Sequence, residues 1–205
     1  MLHELRFGTE TMPQGALAAM FAARKRVFVD LLGWNLPIRA GRFEIDQFDG
    51  ALARYLILTD PDGSHLGSAR LLPTTHGHLL DTLYPDLCDA PPPRGPQCWE
   101  ISRFCLDRRL RAGQRRIVRD TLVLSLVNYA LAHAITRYTA LADLGWYRKI
   151  ADFGWRCTAL GAPCTRDGVP LVAFSIRIDA ETPALLARRG IRPGLPLRGA
   201  DSAAA

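Results

Sequence analysis

The chain has almost no lysine: of 26 basic residues only Lys25 and Lys149 are lysines, and the rest are arginines. It has no C-x-x-C pair, and its cysteines, at 88, 98, 105, 157 and 164, are odd in number. That argues against a zinc site or a disulfide framework and leaves free thiols in a reducing compartment. No run of about 18 apolar residues occurs, so a membrane-spanning helix is not expected. The longest apolar region, Leu122 to Ile135, is broken by Ser125, Asn128 and His133 and reads as a buried helix. The opening MLHELRFGTE has no apolar signal core, so a cytoplasmic protein without membrane insertion is expected. His65, His76, His78 and His133 share no metal-ligand spacing with the cysteines, and no metal is expected. His76 and His78 flank a glycine in a loop and read as surface residues. Ser102 and Ser125 have no base partner that would make either a nucleophile.

What is present fits one domain. A chain of 205 residues, 48% apolar and 22% charged, is long enough to bury a real core. The domain is expected to span 1–190, with a disordered tail over 191–205. The net charge of +6 peaks in the run RRLRAGQRRIVR at 108–119. Such a run is either a solvated helix start or a dock for an anionic partner.

Periodicity supplies the elements. In PQGALAAMFAARKRVFVDLL, residues 13–32, the residues Leu17, Met20, Phe21, Phe28 and Leu31 form one helical apolar face. Arg24 falls on that face and Lys25 off it. An inward arginine needs an anionic partner unless its stem packs while its head reaches water. Residues 33–50 read as an irregular loop; its carboxylates Glu44, Asp46 and Asp49 are either simply solvated or, with Trp34 and Phe48 beside them, part of a binding loop. Residues 52–59 and 65–73 read as a hairpin around DPDG, with Arg70 inside the second strand. Strand 98–106, a long helix at 114–135, strand 138–143, a short helix at 145–153 and strand 169–178 follow. The order predicts an α/β (α+β) fold.

The stretch QCWEISRFCL, 97–106, poses a puzzle. A strand alternates faces, so Glu100 and Arg103 should point to opposite sides. One extra residue, a β-bulge near Ile101–Arg103, would bring both to one face, converging on a cleft. Arg24, Asp46, Asp49, Arg70, Glu100 and Arg103 then suggest a buried, nearly neutral charge network. It is either a structural web or a site that grips a zwitterion and manages a proton.

Four segments in register, RKRVFVDLLGW, EIDQFD, GSARLLPT and WEISRF, resemble the acyl-homoserine-lactone synthases, the autoinducer synthases. The resemblance covers roughly residues 20–178, and the signature positions map to Arg24, Phe28, Trp34, Asp46, Asp49, Arg70, Glu100 and Arg103. It implies a fold related to the Gcn5-type N-acetyltransferases: a three-layer arrangement whose mixed, mostly antiparallel sheet has a bulged, splayed central strand. It also implies two substrates, S-adenosylmethionine and a fatty acyl thioester, no cofactor, and a quorum-sensing acyl homoserine lactone with methylthioadenosine as products.

Chemistry assigns expected roles on that basis. The substrate ammonium must lose a proton before it attacks; Glu100 is the expected base, with Asp46 as rival. The oxyanion would meet backbone N–H groups at the bulge. Arg103 or Arg24 would orient the carboxylate, and Phe28 and Trp34 would meet the adenine or the sulfonium. Asp46, Asp49 and Arg70 would hold loop 33–50 as a lid. Leu122, Val123, Leu126, Leu141 and Phe174 are candidates for the acyl pocket. Residues 110–115, LRAGQR, keep Gly113 but lose the rest of a coenzyme A pyrophosphate loop. Arg108, Arg109, Arg111, Arg115 and Arg116 suit an acidic acyl carrier protein, so that donor is favoured over coenzyme A. Many relatives that make 3-oxo products carry a threonine on the strand matching 138–143. The nearest aligned positions here, Ala142 and Asp143, favour an unsubstituted chain. A monomer or weak dimer without nucleic acid is expected. The rivals are a generic acetyl-coenzyme-A-dependent N-acetyltransferase and an arginine-rich binding module.

Overall fold

The computed structural model describes residues 1–8 and 12–192. Along the chain run β1 (Leu2–Leu5), α1 (Gly15–Arg24) with a π-helical turn Lys25–Val29, β2 (Ile38–Arg39), β3 (Phe43–Glu44), β4 (Arg54–Thr59), β5 (His65–Pro73) and α2 (Leu79–Thr82). Then come β6 (Cys98–Leu106), α3 (Ala112–Ala132), β7 (Arg137–Asp143), α4 (Leu144–Ala151), β8 (Arg156–Ala159), β9 (Cys164–Arg166), β10 (Val169–Arg177) and α5 (Thr182–Arg188).

Eight strands form one sheet in the order β1-β4-β5-β6-β7-β10-β8, with β9 also paired to β10; β2 and β3 make a separate small hairpin. Every pairing in the large sheet is antiparallel except β6 with β7, which α3 connects in the crossover that parallel neighbours require. The alternation of β4 and β5 sorts side chains to two cores. Leu56, Leu58, Ala69 and Leu71 join Val118, Leu122 and Leu126 of α3, while Tyr55, Ile57 and Leu72 join Met20 and Phe21 of α1. Helices on both faces of the sheet give three layers.

Two features position the site. The β6–β7 ladder runs from Cys98–Arg137 to Ile101–Ala140 and stops, although both strands continue. On its other edge β6 pairs with β5, and Arg103 and Phe104 together oppose the single residue Ala69. That is the bulge, one step beyond the centre of the expected stretch, and Arg103 sits in it at φ +51°, in the left-handed region.

Several expectations shift. The first helix begins at Gly15 rather than Pro13 and passes into the π turn. Loop 33–50 contains the β2–β3 hairpin, and the long helix begins at Ala112. Ile191, placed in the tail, is buried in the core beside Leu186; residues 193–205 lie outside the described residues. His78 is fully buried, not a surface residue, and His65 is buried as well. No helix among the described residues is long and apolar enough to cross a membrane.

Candidate active site

Arg24, the last residue of α1, is fully buried under loop 33–50. Its Nε donates to Glu44 Oε2 at 2.5 Å, and Nη1 and Nη2 donate to the two oxygens of Asp49 at 2.9 and 2.8 Å. Arg70, from the middle of β5, donates to both Asp46 oxygens at 2.5 and 3.1 Å and through Nε to Ser102 Oγ at 3.0 Å, and its Nη1 lies 2.9 Å from Asp49. Arg103 closes the ring, donating to Glu44 Oε1 at 3.1 Å and Asp46 Oδ2 at 2.7 Å. Tyr55 Oη donates to Asp49 at 2.8 Å. Three arginines thus meet three carboxylates, each cation bridging two anions.

The bulge explains how Arg103 arrives. Glu100 and Ser102 alternate toward the α1 face, while Ile101 packs on the α3 side. The doubled position sends Arg103 to the same side as Ser102 and leaves Phe104 on the α3 side against Trp146 at a ring distance of 5.9 Å. In a flat strand Arg103 would have pointed into the α3 core.

The electrostatics follow from pairing. Burial opposes ionisation of Asp49, but Arg24 and Arg70 outweigh it and hold its carboxyl below the usual range. Burial likewise disfavours the charged Arg24, yet Asp49 and Glu44 raise its pKa above that of a free guanidinium. Burial, with the Asp49 charge beside it, pushes the Tyr55 hydroxyl upward. Among the described residues, Glu44, Asp46 and Asp49 are the only acidic trio close enough to share a metal ion, and the three guanidinium groups already occupy that space.

At one residue the network differs from the expected one. The third carboxylate of the network is Glu44, not Glu100. In the sequence Glu44 reads only as a loop acid, and its alternation with Asp46 is the one signal that singles it out. Both Asp46 oxygens accept from Arg70, and Oδ2 also from Arg103. The hydrogen bonds of Arg24 go to Glu44 and Asp49. Glu100 shares the face of Ser102 but stands apart from the network: its two oxygens accept the N–H groups of Leu79 and Leu80, each at 2.9 Å, at the start of α2. Burial raises its pKa, against the pull of those N–H groups, His78 and Arg70.

Phe28 is buried in the π turn and stacks on half-exposed Trp34, with ring centres 4.9 Å apart and planes 17° apart. The Arg103 guanidinium lies 5.7 Å from the Phe28 ring centre. Where β6 and β7 part, a cleft of about 70 Å³ opens, lined by Val123, Leu126, Leu141, Phe174, Phe104 and Trp146 among others. Leu122 does not line it; it is buried in the α3 core. β7 also carries a threonine, Thr139, fully buried and paired in register with Glu100. Arg108, Arg109, Arg111, Arg115 and Arg116 are all exposed around the start of α3. Arg109 is tied to Asp107, with Nη2 2.9 Å from the carboxylate.

A sheet parted between two parallel strands, with an apolar cleft in the gap and a buried charge network at its rim, defines an acyltransferase of the N-acetyltransferase type. Residues 9–185 match the model of the autoinducer synthase family. The acyl-homoserine-lactone synthase of Ralstonia solanacearum is 35% identical over 184 residues, covering 87% of this chain and 90% of that one. The solved structure of TofI, in a ternary complex with an inhibitor and MTA, is 30% identical with a TM-score of 0.75, covering 94% of this chain and 97% of that one. BjaI, described as a CoA-dependent acyl-homoserine lactone synthase, shares the fold at a TM-score of 0.82 and 24% identity, covering 93% and 89%. The chain belongs to the autoinducer synthase family, and its activity is that of an acyl-homoserine-lactone synthase.

Proposed function

We propose that the chain N-acylates S-adenosylmethionine from a fatty acyl thioester borne on acyl carrier protein, then closes the lactone with release of methylthioadenosine. The observation that carries this reading is the β6–β7 gap, which opens an apolar cleft beside the charge network. The MTA held by TofI supports the S-adenosylmethionine half. No cofactor beyond the two substrates enters, and the site works in a cytoplasmic protein that needs no second copy.

Each step has a group suited to it. Glu100, its pKa raised by burial, takes the ammonium proton directly or through one water. Past Ile101 the β6 edge has no strand partner, so its N–H groups stand ready for the thioester oxyanion. Arg103 retains donors beyond those spent on Glu44 and Asp46 and orients the methionyl carboxylate. The stacked pair of Phe28 and Trp34 meets the adenine or sulfonium. Lactone closure is intramolecular, so a folded, held chain supplies most of what it needs. The exposed arginines near α3 favour an acidic carrier protein. A coenzyme A donor is the second reading, favoured by the open space around exposed Gly113 in the first turn of α3 and by the CoA dependence of BjaI.

Mass spectrometry of purified protein with S-adenosylmethionine and a panel of acyl thioesters, on carrier protein and on coenzyme A, tests the reading. Methylthioadenosine and an acyl homoserine lactone should appear together, fastest with a carrier-bound thioester. Faster turnover with every matched coenzyme A thioester would overturn the donor assignment.

A further inference from the structure

The cleft where β6 and β7 part is small, and part of its wall is stiff. It has room where β7 presents Ala140 and Ala142, the smallest residues of the lining. Trp146, Phe153 and Trp155 make an aromatic wall. The rings of Trp146 and Phe153 lie edge to face with centres 6.2 Å apart, and Phe153 and Trp155 follow at 5.8 Å. Trp155 is pinned through Nε1, which donates to the Ile150 carbonyl at 2.8 Å, and the Arg119 guanidinium lies 5.1 Å from the Phe153 ring centre. Phe153 and Trp155 are both buried. Buried rings held by one another, by a hydrogen bond and by a cation resist being pushed aside by a larger guest.

The volume then sets a limit. The cleft holds about 70 Å³. Roughly 10–15 Å³ of such space takes one water-sized group, so about five to seven non-hydrogen atoms fit. A carbonyl carbon, its oxygen and the rest of the chain reach that count from butanoyl to hexanoyl. A benzene ring occupies a cavity of about 150 Å³, roughly twice what is here, so an aryl group is excluded as well.

We infer that the acyl substrate is a short straight chain, butanoyl to hexanoyl, and that the aromatic wall is its ruler. This rests on the proposed synthase reaction, with the thioester at the β6 edge and its chain in the cleft. The lining suits such a chain. Ser102 and Arg103 bring its only hydroxyl and its only charge, both from β6, and both are hydrogen-bonded within the network. Away from them the chain meets hydrocarbon and ring faces, and each methylene that it buries adds to binding until the room is filled. One methylene more must displace a packed ring or trail into water, and neither gains affinity.

A series of straight-chain thioesters from butanoyl to dodecanoyl, with phenylacetyl as the aryl member, tests this, each on carrier protein and on coenzyme A. For lactone formation, kcat/KM should peak at butanoyl or hexanoyl, with the same optimum on both carriers. It should be lower by about tenfold or more for decanoyl and for phenylacetyl. A maximum at octanoyl or beyond, or phenylacetyl within about twofold of hexanoyl, overturns the length limit and leaves the synthase reading standing. No lactone from any member brings down that reading, and the length limit with it. Ala142→Val locates the ruler: hexanoyl should lose about fivefold relative to butanoyl. An unchanged ratio overturns the cleft as the seat of the chain. Should that variant fail to fold, Val123→Ile, which fills the same cleft from α3, is read in the same way.

Discussion

Glu44 and Arg103 stand 59 residues apart in the chain and meet through Arg103 Nη2 and Glu44 Oε1 at 3.1 Å. The same carboxylate also receives Arg24, so one loop residue joins the helix end below it to the bulged strand beside it. Removing it leaves two buried guanidinium groups each short of an anion. Glu44→Gln should therefore destabilise the fold by about 3–5 kcal/mol. Urea denaturation would read this as a lowered midpoint at unchanged m-value; a loss under about 1 kcal/mol would mean the network is not a shared support.

A second prediction concerns acid. His65 is buried beside Ser68, and burial lowers its pKa from 6.5 to about 4. The folded ring stays neutral while the unfolded ring charges. Stability is thus whole above pH 6.5 and drains as pH falls toward 4, by about 3 kcal/mol for a shift of this size. His65→Gln should flatten that part of the stability profile. An unchanged slope between pH 6.5 and 4 in the variant would assign the loss elsewhere.

The cleft supplies a third. Trp146 of α4 forms part of its wall against Phe104 and Phe153. Trp146→Ala should widen the cleft and move the product distribution toward longer acyl chains, several-fold in relative kcat/KM, since each methylene in an apolar pocket is worth about 1–3 kcal/mol. Competition assays read by mass spectrometry would show it; an unchanged chain-length profile would place the acyl group elsewhere.

A fourth prediction separates the donors. Arg115→Glu with Arg116→Glu reverses two exposed charges at the start of α3. KM for an acyl carrier protein donor should rise about tenfold, more at low salt than at high, with little effect on the rate at saturation. A rise of equal size for the matching coenzyme A thioester would show that the arginines serve phosphate rather than protein.

Much of this was legible in the sequence because periodicity and residue type agree. The β5 and β6 strands fell where alternation and β-branched or aromatic residues placed them, and Arg24 could be read as inward from its spacing alone. The short elements escaped: β1, the β2–β3 hairpin, α2, β8, β9 and α5 are too brief to carry a period. The displacement of Glu100 by Glu44 escaped for another reason. Which carboxylate closes a charge network depends on how a loop folds over a sheet, and local pattern does not encode that. His78 was misread because a His-Gly-His stretch looks like surface turn, whereas the Glu100 carboxylate draws the start of α2 inward.

The ladder between β6 and β7 ends at Ile101–Ala140, and this bears on the kinetics of the enzyme. The cleft at that gap is lined by Val123 and Leu126 of α3 and reaches Ser102 and Arg103, which also touch the charge network. With S-adenosylmethionine beside the charges and the acyl chain in the cleft, as proposed, the two substrates occupy separate places, and the nearby hydroxyl of Ser102 is tied to Arg70 rather than poised to hold an acyl group. Initial-rate plots should therefore intersect, as for a ternary complex, rather than run parallel as in acyl-enzyme exchange.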